Sequence, residues 1–446
     1  MSLSTEQSIE KVLDLASQKK VSAEALVIET KKFNASFQDQ ALNDYEVTSS
    51  RSLGIRVVDG SHEGISYTES FSTEDIESTF LEAQANKNFV TSDCDPSFPE
   101  AKSIVNNMDF FNPQLSEVPV DLKLEFAKNL ETYAKASSDK FHSLPWSAYA
   151  DIEAKVLLCN TSGTQSSYQT NSCHAYAYPL CVNGDKRGMA FAAESSRNFY
   201  DLSAERIAKK SIADSVLKLE DTKPKSGKYS IVLQSKSAQT LLSLLVSHLS
   251  LKSIDQNLSA LKNKLNEQLF SEKFHLIDDA TYAEGMAARP FDAEGTKSSK
   301  NTLIEDGILK SYLTSFGYAN KYNLKNTGNA TRSTKSGINI SSTNLLVRPG
   351  KLTFNELVDL DSEVLVVDNL KGLSGVNPIS GDFSIESEGL LYRQGQFHCA
   401  VSNFTLSGNI FETLKNIEEL GNDVEPTIKN IYSPSMFVGK MSVAGA

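Results

Sequence analysis

Six histidines and five cysteines are the residues of this chain best suited to hold a metal or to act as nucleophile and base. His62, His142, His174, His248, His275 and His398 form no H-x-x-x-H and no H-E-x-x-H, the spacings that place two imidazoles on one helix face around zinc. His62-Glu63 is a His-Glu pair, but Tyr67, not histidine, stands five residues later. His248 ends an apolar stretch, where a ring suits the negative end of a helix dipole. Cys94, Cys159, Cys173, Cys181 and Cys399 are scattered and contain no C-x-x-C, so neither a disulfide framework nor a zinc knuckle is expected. Cys173-His174 with Cys181 is the densest group. Adjacent residues on a strand point to opposite faces, so the simpler reading is small buried hydrophobes. No G-x-S-x-G elbow surrounds a serine; Ser374, in Gly372-Leu373-Ser374-Gly375, lacks the required neighbours. Neither G-x-G-x-x-G nor a Walker loop occurs. Carboxylates are plentiful, and the pair Asp292/Glu294 reads first as a solvated or backbone-bonding turn. From residue chemistry alone, no catalytic or metal-binding constellation is visible.

The elements that would position these residues are mixed without regular β-α alternation, which predicts an α+β fold. A short amphipathic helix is expected over about 5–19, then strands at 25–28, 45–50, 54–58 and 64–68. Ser72, with acids in the following turn, marks a helix start running to about 86. A linker covers roughly 90–118. The plan then repeats: a helix near 120–137, strands across 146–193, and a helix capped by Ser203 ending near 219. Val58-Asp59-Gly60-x-x-x-Gly64 and Val182-Asn183-Gly184-x-x-x-Gly188 share V-[DN]-G-x-x-x-G, each at a hairpin ahead of a Ser-capped helix. This predicts an internal duplication, two strand-plus-helix units at about 1–110 and 111–223. The polar stretch 220–228 sets the main boundary, between an N-terminal domain 1–223 and a strand-rich C-terminal domain 224–446. There we expect a strand at 229–233 and a largely buried helix at 238–249, capped by Ser235 or Ser237. A polar helix near 255–269 and an Asp-Gly hairpin at 303–309 follow. Strands at 364–367, 383–392 and 397–401, a helix near 409–420 and a last strand near 435–443 complete the chain.

Composition narrows the function. The 446 residues carry 44 Lys and Arg against 56 Asp and Glu, a net charge of −12, which argues against direct contact with nucleic acid. No apolar run reaches the ~18 residues of a membrane span. The first twenty residues interrupt their apolar positions with charges and lack the core of a signal peptide. A cytoplasmic protein without membrane contact is expected.

A resemblance goes further. Phe291-Asp292-Ala293-Glu294-Gly295-Thr296, Leu303-Ile304-Glu305-Asp306-Gly307-Ile308-Leu309 and Asn326-Thr327-Gly328-Asn329-Ala330 resemble the core of the TldD/PmbA family. So does the run from Gly372-Leu373-Ser374-Gly375-Val376-Asn377-Pro378 through Ile379-Ser380-Gly381-Asp382-Phe383-Ser384. Leu406-Ser407-Gly408-Asn409, Gly421-Asn422-Asp423, Val443-Ala444-Gly445 and, near the start, Gly54-Ile55-Arg56-Val57 fit the same family. The resemblance spans nearly the whole chain.

The family's TldD-type members resemble zinc metallopeptidases, with H-E-x-x-x-H on the helix that opens the third segment and a Cys ligand near the C-terminus. Here that helix holds His248 alone, and Tyr432-Ser433-Pro434-Ser435-Met436 has no cysteine. The resemblance is therefore to the PmbA/TldE branch, the partner subunit. It implies a non-catalytic subunit with no cofactor of its own, zinc residing in a TldD-type partner. It also implies a dimer around a chamber where unfolded peptides are cut. Candidate residues lining that cavity or the subunit interface are Asp292, Glu294, Asn377, Pro378, Ser380, Gly381, Asp382 and Phe383; a structural turn is the alternative reading of the loop. Two other functions stay open: a self-sufficient homodimeric hydrolase with an unrecognised site, and a binding protein that modulates DNA gyrase.

Overall fold

A computed structural model describes residues 2–99, 110–425 and 428–445. Part of the expected linker, 100–109, lies outside the described residues. The first half of the chain builds one seven-stranded antiparallel sheet. Helix α1 (Thr5–Lys19) is closed by a capping box between Ser4 and Gln7. It leads into β1 (Ser22–Gln38), β2 (Ala41–Asp59) and β3 (His62–Thr68), then α2 (Thr73–Asn86). A single turn, α3 (Pro113–Ser116), precedes α4 (Val120–Ser137). Then come β4 (Phe141–Asn160), β5 (Gln165–Asn183), β6 (Lys186–Met189), β7 (Ala192–Ser196) and α5 (Ala204–Leu217). The strand order is β3-β2-β1-β4-β5-β6, with β7 also paired to β5. β1 and β4, one from each repeat, meet at the centre in register from Glu24↔Asn160 to Ala35↔Tyr149. The two strand-plus-helix units therefore share one sheet.

The duplication is visible atom by atom. Gly60 and Gly184 hold φ of 60° and 62° in the two hairpin turns, a conformation that penalises any side chain. The second glycine of each motif has a different task. A Cβ on Gly64 would stand 2.0 Å from the Ala83 carbonyl oxygen of α2, and one on Gly188 2.1 Å from the Ser215 carbonyl oxygen of α5. Each repeat thus brings the last turn of its helix against its hairpin. Ser72 and Ser203 cap the two helices, accepting from the N–H of Asp75 at 3.1 Å and Arg206 at 3.2 Å.

Period-2 burial sends one face of the sheet to the helices. Val27, Phe33 and Ala35 of β1 and Cys173, Ala175 and Ala177 of β5 lie in helix-covered cores. Cys173 and Cys181 are buried on that face, while His174 is on the other. The first half of β2, residues 41–50, is exposed on both faces.

The second half holds a mixed sheet and a smaller one. β8 (Gly227–Leu233) pairs in parallel with Glu363–Leu370 and antiparallel with Met436–Ala444. Asp382–Arg393 and Gln396–Asn409 complete the layer, and Gln396–Asn409 also pairs with Met436–Ala444, closing five strands on themselves. Helix α6 (Ser235–Leu249) and the short α7 (Leu251–Asp255) bury Leu241, Leu242, Leu245 and Ile254 in the largest core cluster. β9 (Leu276–Asp279), β10 (Lys300–Glu305) and β11 (Ile308–Leu309) belong to a separate five-stranded sheet. The α+β class holds.

Three local expectations are corrected. Residues 255–269 do not form a helix: Asn257, Asn263 and Asn266 take φ of 59°, 62° and 67°, which a right-handed helix excludes. Neither Ser235 nor Ser237 caps α6; Gln234 sits at the cap without a side-chain bond, and the Ser235 hydroxyl donates to the Ser433 carbonyl at 2.6 Å. The helix near 409–420 stops at Lys415, and Glu419–Leu420 is a strand against Met436–Phe437. Among the described residues no helix is long and apolar enough to cross a membrane.

Candidate functional site

Helix α6 is the element on which the resemblance places a zinc motif. It is apolar because it is packed on most sides. Its first turn is held by buried serines near the C-terminus: the Ser235 N–H donates to the Ser435 hydroxyl at 3.1 Å, and that hydroxyl donates to Asp423 at 2.6 Å. Asp423 also accepts from the Ser435 N–H at 3.0 Å. The Gly421-Asn422-Asp423 motif and the 432–436 stretch therefore anchor α6. Reading H-E-x-x-x-H back from His248 puts Ser243 and Leu244 at its first two positions. The Ser243 hydroxyl donates to the Thr240 carbonyl at 2.6 Å, and Leu244 packs on the core. The His248 ring is buried edge-on to Phe411 at 4.9 Å, and burial pulls its pKa down. These residues do not fit a zinc ion. Among the described residues, no three or more His, Cys, Asp or Glu side chains gather as a metal-binding group.

Asp292 and Glu294 are brought together, but inside the protein, at 1% and 3% exposure. The solvated reading fails and the backbone-bonding one holds. One oxygen of Asp292 accepts from the N–H of Glu294 and of Thr296, each at 2.9 Å, and the other accepts from Ala330 at 3.1 Å. Glu294 accepts from the Phe316 N–H at 2.7 Å. Burial, with Asp292 next, pushes the Glu294 carboxyl up to about 8; burial likewise raises Asp292. Nearby, the Asn329 amide donates to buried Asp278 at 2.7 Å. The F-D-A-E-G-T and N-T-G-N-A motifs are thus halves of one buried polar knot.

That knot adjoins a buried ion cluster linking the two halves of the chain. Arg332 donates to Glu24 of β1 at 2.6 Å. Arg56 of β2 stands 3.7 Å from the same carboxylate, donates to Glu63 at 2.8 Å and to the Pro96 carbonyl at 2.7 Å. Glu24, Arg56 and Arg332 side chains are 0%, 3% and 3% exposed. Beside them a Cβ on Gly54 would stand 2.5 Å from the Thr334 carbonyl oxygen, so Gly54-Ile55-Arg56-Val57 is where β2 touches the C-terminal half. Arg56 and Glu24 are charges inside apolar runs, the sequence signal that marks this cluster.

The 377–383 loop is elsewhere, and mostly exposed. The Asn377 side chain accepts from the N–H of Ile379 at 3.0 Å and Ser380 at 3.1 Å. Ser380 donates to Asp382 at 2.6 Å, and the Asn409 amide donates to Asp382 at 2.9 Å; both hold the Asp382 carboxyl below its usual range. Gly381, at φ 77°, is crowded by Ile410 and Phe411. Phe383 is buried in the core, while Leu373 and Ile379 are 39% and 51% exposed. The loop is a hydrogen-bonded turn presenting Ile379, with the exposed Leu373 ahead of it in the chain.

Two adjoining exposed concavities run along the seam between the open face of the N-terminal sheet and α6. One, of about 510 Å³, is lined by Phe191, Ile207, Lys236 and Gln239 among others. It adjoins a second that shares Phe191 and Lys236 and reaches Tyr178. Trp146, 56% exposed, stacks on Tyr178 at 5.7 Å, and Tyr176 stacks on Phe191 at 5.7 Å. The seam therefore offers an aromatic strip ending at the first turn of α6.

Comparisons with known proteins agree along the whole chain. Three sequence models match in series: PmbA/TldA metallopeptidase domain 1 over residues 23–87, the central domain over 113–219 and the C-terminal domain over 226–445. Metalloprotease PmbA of Escherichia coli O157:H7 is 25% identical over 447 residues, covering 99% of this chain and 96% of its own. An uncharacterised protein of Methanocaldococcus jannaschii is 26% identical over 434 residues, covering 97% and 99%. Among solved structures, a candidate modulator of a DNA gyrase from Thermotoga maritima matches with a TM-score of 0.91 at 25% identity, over 99% of this chain and all of that one. TldE from Thermococcus kodakarensis shares the fold, with a TM-score of 0.90 at 20% identity over 98% of this chain. With motif residues at its buried knot, its interdomain seam and its α6 anchor, the chain belongs to the TldD/PmbA metallopeptidase family.

Proposed function

We propose that this chain is the zinc-less partner subunit of a TldD-type metallopeptidase, acting in the cytoplasm to bind and present unfolded peptides. One observation carries the reading. In a metallopeptidase family whose catalysis would require H-E-x-x-x-H on this helix, α6 has no glutamate and a single histidine, His248, which is buried against Phe411. Zinc-bound water supplies the nucleophile in such enzymes; here it would belong to the partner. Ile379, exposed on a turn formed by Asn377, Pro378, Ser380, Gly381 and Asp382, together with the exposed Leu373 ahead of that turn, is the surface proposed to meet that partner. The net charge of −12 favours a peptide or protein partner over nucleic acid.

The test is reconstitution. The purified, tag-free chain is dialysed against trace zinc, its metal measured by plasma mass spectrometry, and its cleavage of an unfolded peptide assayed alone and with a zinc-bearing family member. Little zinc, no cleavage alone and faster cleavage on mixing are expected. A full zinc per chain with cleavage unaided would replace this reading with the self-sufficient hydrolase.

A further inference from the structure

The seam cavity has a chemical character of its own. Four of its lining side chains are basic, Arg206, Lys210, Lys236 and Lys429, in a protein of net charge −12. Arg206 is forked onto Glu194, one of its bonds at 2.7 Å. Lys210 stands 3.3 Å from Asp214 and 3.7 Å from Glu425, and Lys429 donates to the Thr240 hydroxyl at 2.6 Å. Lys236 differs. Its amine lies 4.9 Å from the Phe191 ring centroid, and among the described residues it forms no ion pair within 4.0 Å. Asp368 and Glu425 act on it at longer range, but Lys218 already holds Asp368 at 3.0 Å. Burial drives the Lys236 amine down to about 8, so this cation is held at a cost that a bound anion would offset. Phe191 and the 46%-exposed Ile428 give the cavity apolar walls, with core residue Ile207 behind them.

We infer that this cavity is a subsite for a peptide carboxylate flanked by an apolar side chain, the carboxylate pairing with Lys236 and the side chain packing on Phe191 and Ile428. The inference rests on the peptide-binding role proposed above and names the substrate feature recognised. The carboxylate can be a chain terminus or an acidic side chain, since both present the same group. A volume of about 510 Å³ accommodates one or two residues, and the Tyr176, Tyr178 and Trp146 strip continues the path for the rest of the chain.

Three fluorescein-labelled Gly/Ser peptides, each with one leucine, test it by anisotropy with the full chain. The first ends in a free carboxylate beside the leucine, the second is its amide, and the third is an amide with aspartate beside the leucine. The first or third should bind at least about tenfold tighter than the second, a difference of ~1.4 kcal/mol. Whichever does so identifies the source of the carboxylate. Lys236→Met, which keeps the aliphatic stem, should abolish that preference while the melting temperature is unchanged or higher. Phe191→Ala should weaken all three peptides together. Equal binding of all three, no binding of any, or a preference that survives Lys236→Met would overturn the inference. Reconstituted cleavage is a separate measurement, so the subunit role can stand if this subsite fails.

Discussion

The Glu294 carboxyl shows what a single residue contributes here. Its pKa is raised from 4.5 to about 8, chiefly by burial. Below pH 4.5 the group is protonated whether the chain is folded or not. As the pH rises, the unfolded chain ionises first, so stability is lost progressively until the folded group ionises near pH 8. Glu294→Gln keeps an oxygen for the Phe316 N–H and cannot ionise. The wild type should therefore lose melting temperature relative to this variant between pH 5 and 8, and a constant gap across that window would refute the account. A second residue-scale prediction concerns Arg332. Removing it leaves Glu24 buried with only the more distant Arg56 as counter-charge. Arg332→Ala should cost about 3–5 kcal/mol by denaturant unfolding. The sequence marked Asp292 and Glu294 through a motif, but not their environment. That environment includes the Phe316 and Ala330 N–H groups and the Arg56 charge, which no local pattern connects to them. The same holds for Lys236: that it makes no close ion pair among the described residues depends on Asp368, Glu425 and Phe191, far apart in the chain.

Elements were legible where their determinants are local. Ser72 and Ser203 cap as read, and Asp306-Gly307 turns its hairpin with φ of 46° and 80°. Where periodicity and turn chemistry conflict, the reading failed. Leu258, Leu261, Leu265 and Leu269 have helical spacing, and Leu261 is buried, yet left-handed asparagines between them break the helix. The expected strands at 25–28, 45–50 and 54–58 are pieces of the longer β1 and β2, whose pairing with each other carries them beyond their apolar runs. The duplicated motif makes its own prediction. Gly64→Ala and Gly188→Ala each force a Cβ onto a helix carbonyl and should destabilise by about 1–3 kcal/mol. Gly60→Ala has open space around it and should cost about 1–2 kcal/mol through backbone conformation alone. Melting temperatures of the three variants test the division, and a Gly64 variant as stable as wild type would break it.

At the scale of the whole molecule, the halves are joined by a small shared core, Leu26 and Leu158 against Phe291, and by buried polar contacts. Glu24 and Arg56 from the first sheet meet Arg332 from the second half, and Lys218 reaches Asp368 and Glu388 at 3.0 Å each. Composition and motif order were enough to place the α+β class and the family. They could not show that both repeats enter one sheet, because β1 and β4 are separated by over a hundred residues. That central pairing has a consequence for the chain's continuity. The backbone between Pro99 and Phe110 connects the repeats, but the β1–β4 ladder is what holds them. A protein made as two polypeptides, divided within that connection, would keep every ladder bond of the central seam. The chain is in this sense a fragment-complementation pair already fused, each piece supplying the strand edge that templates the other.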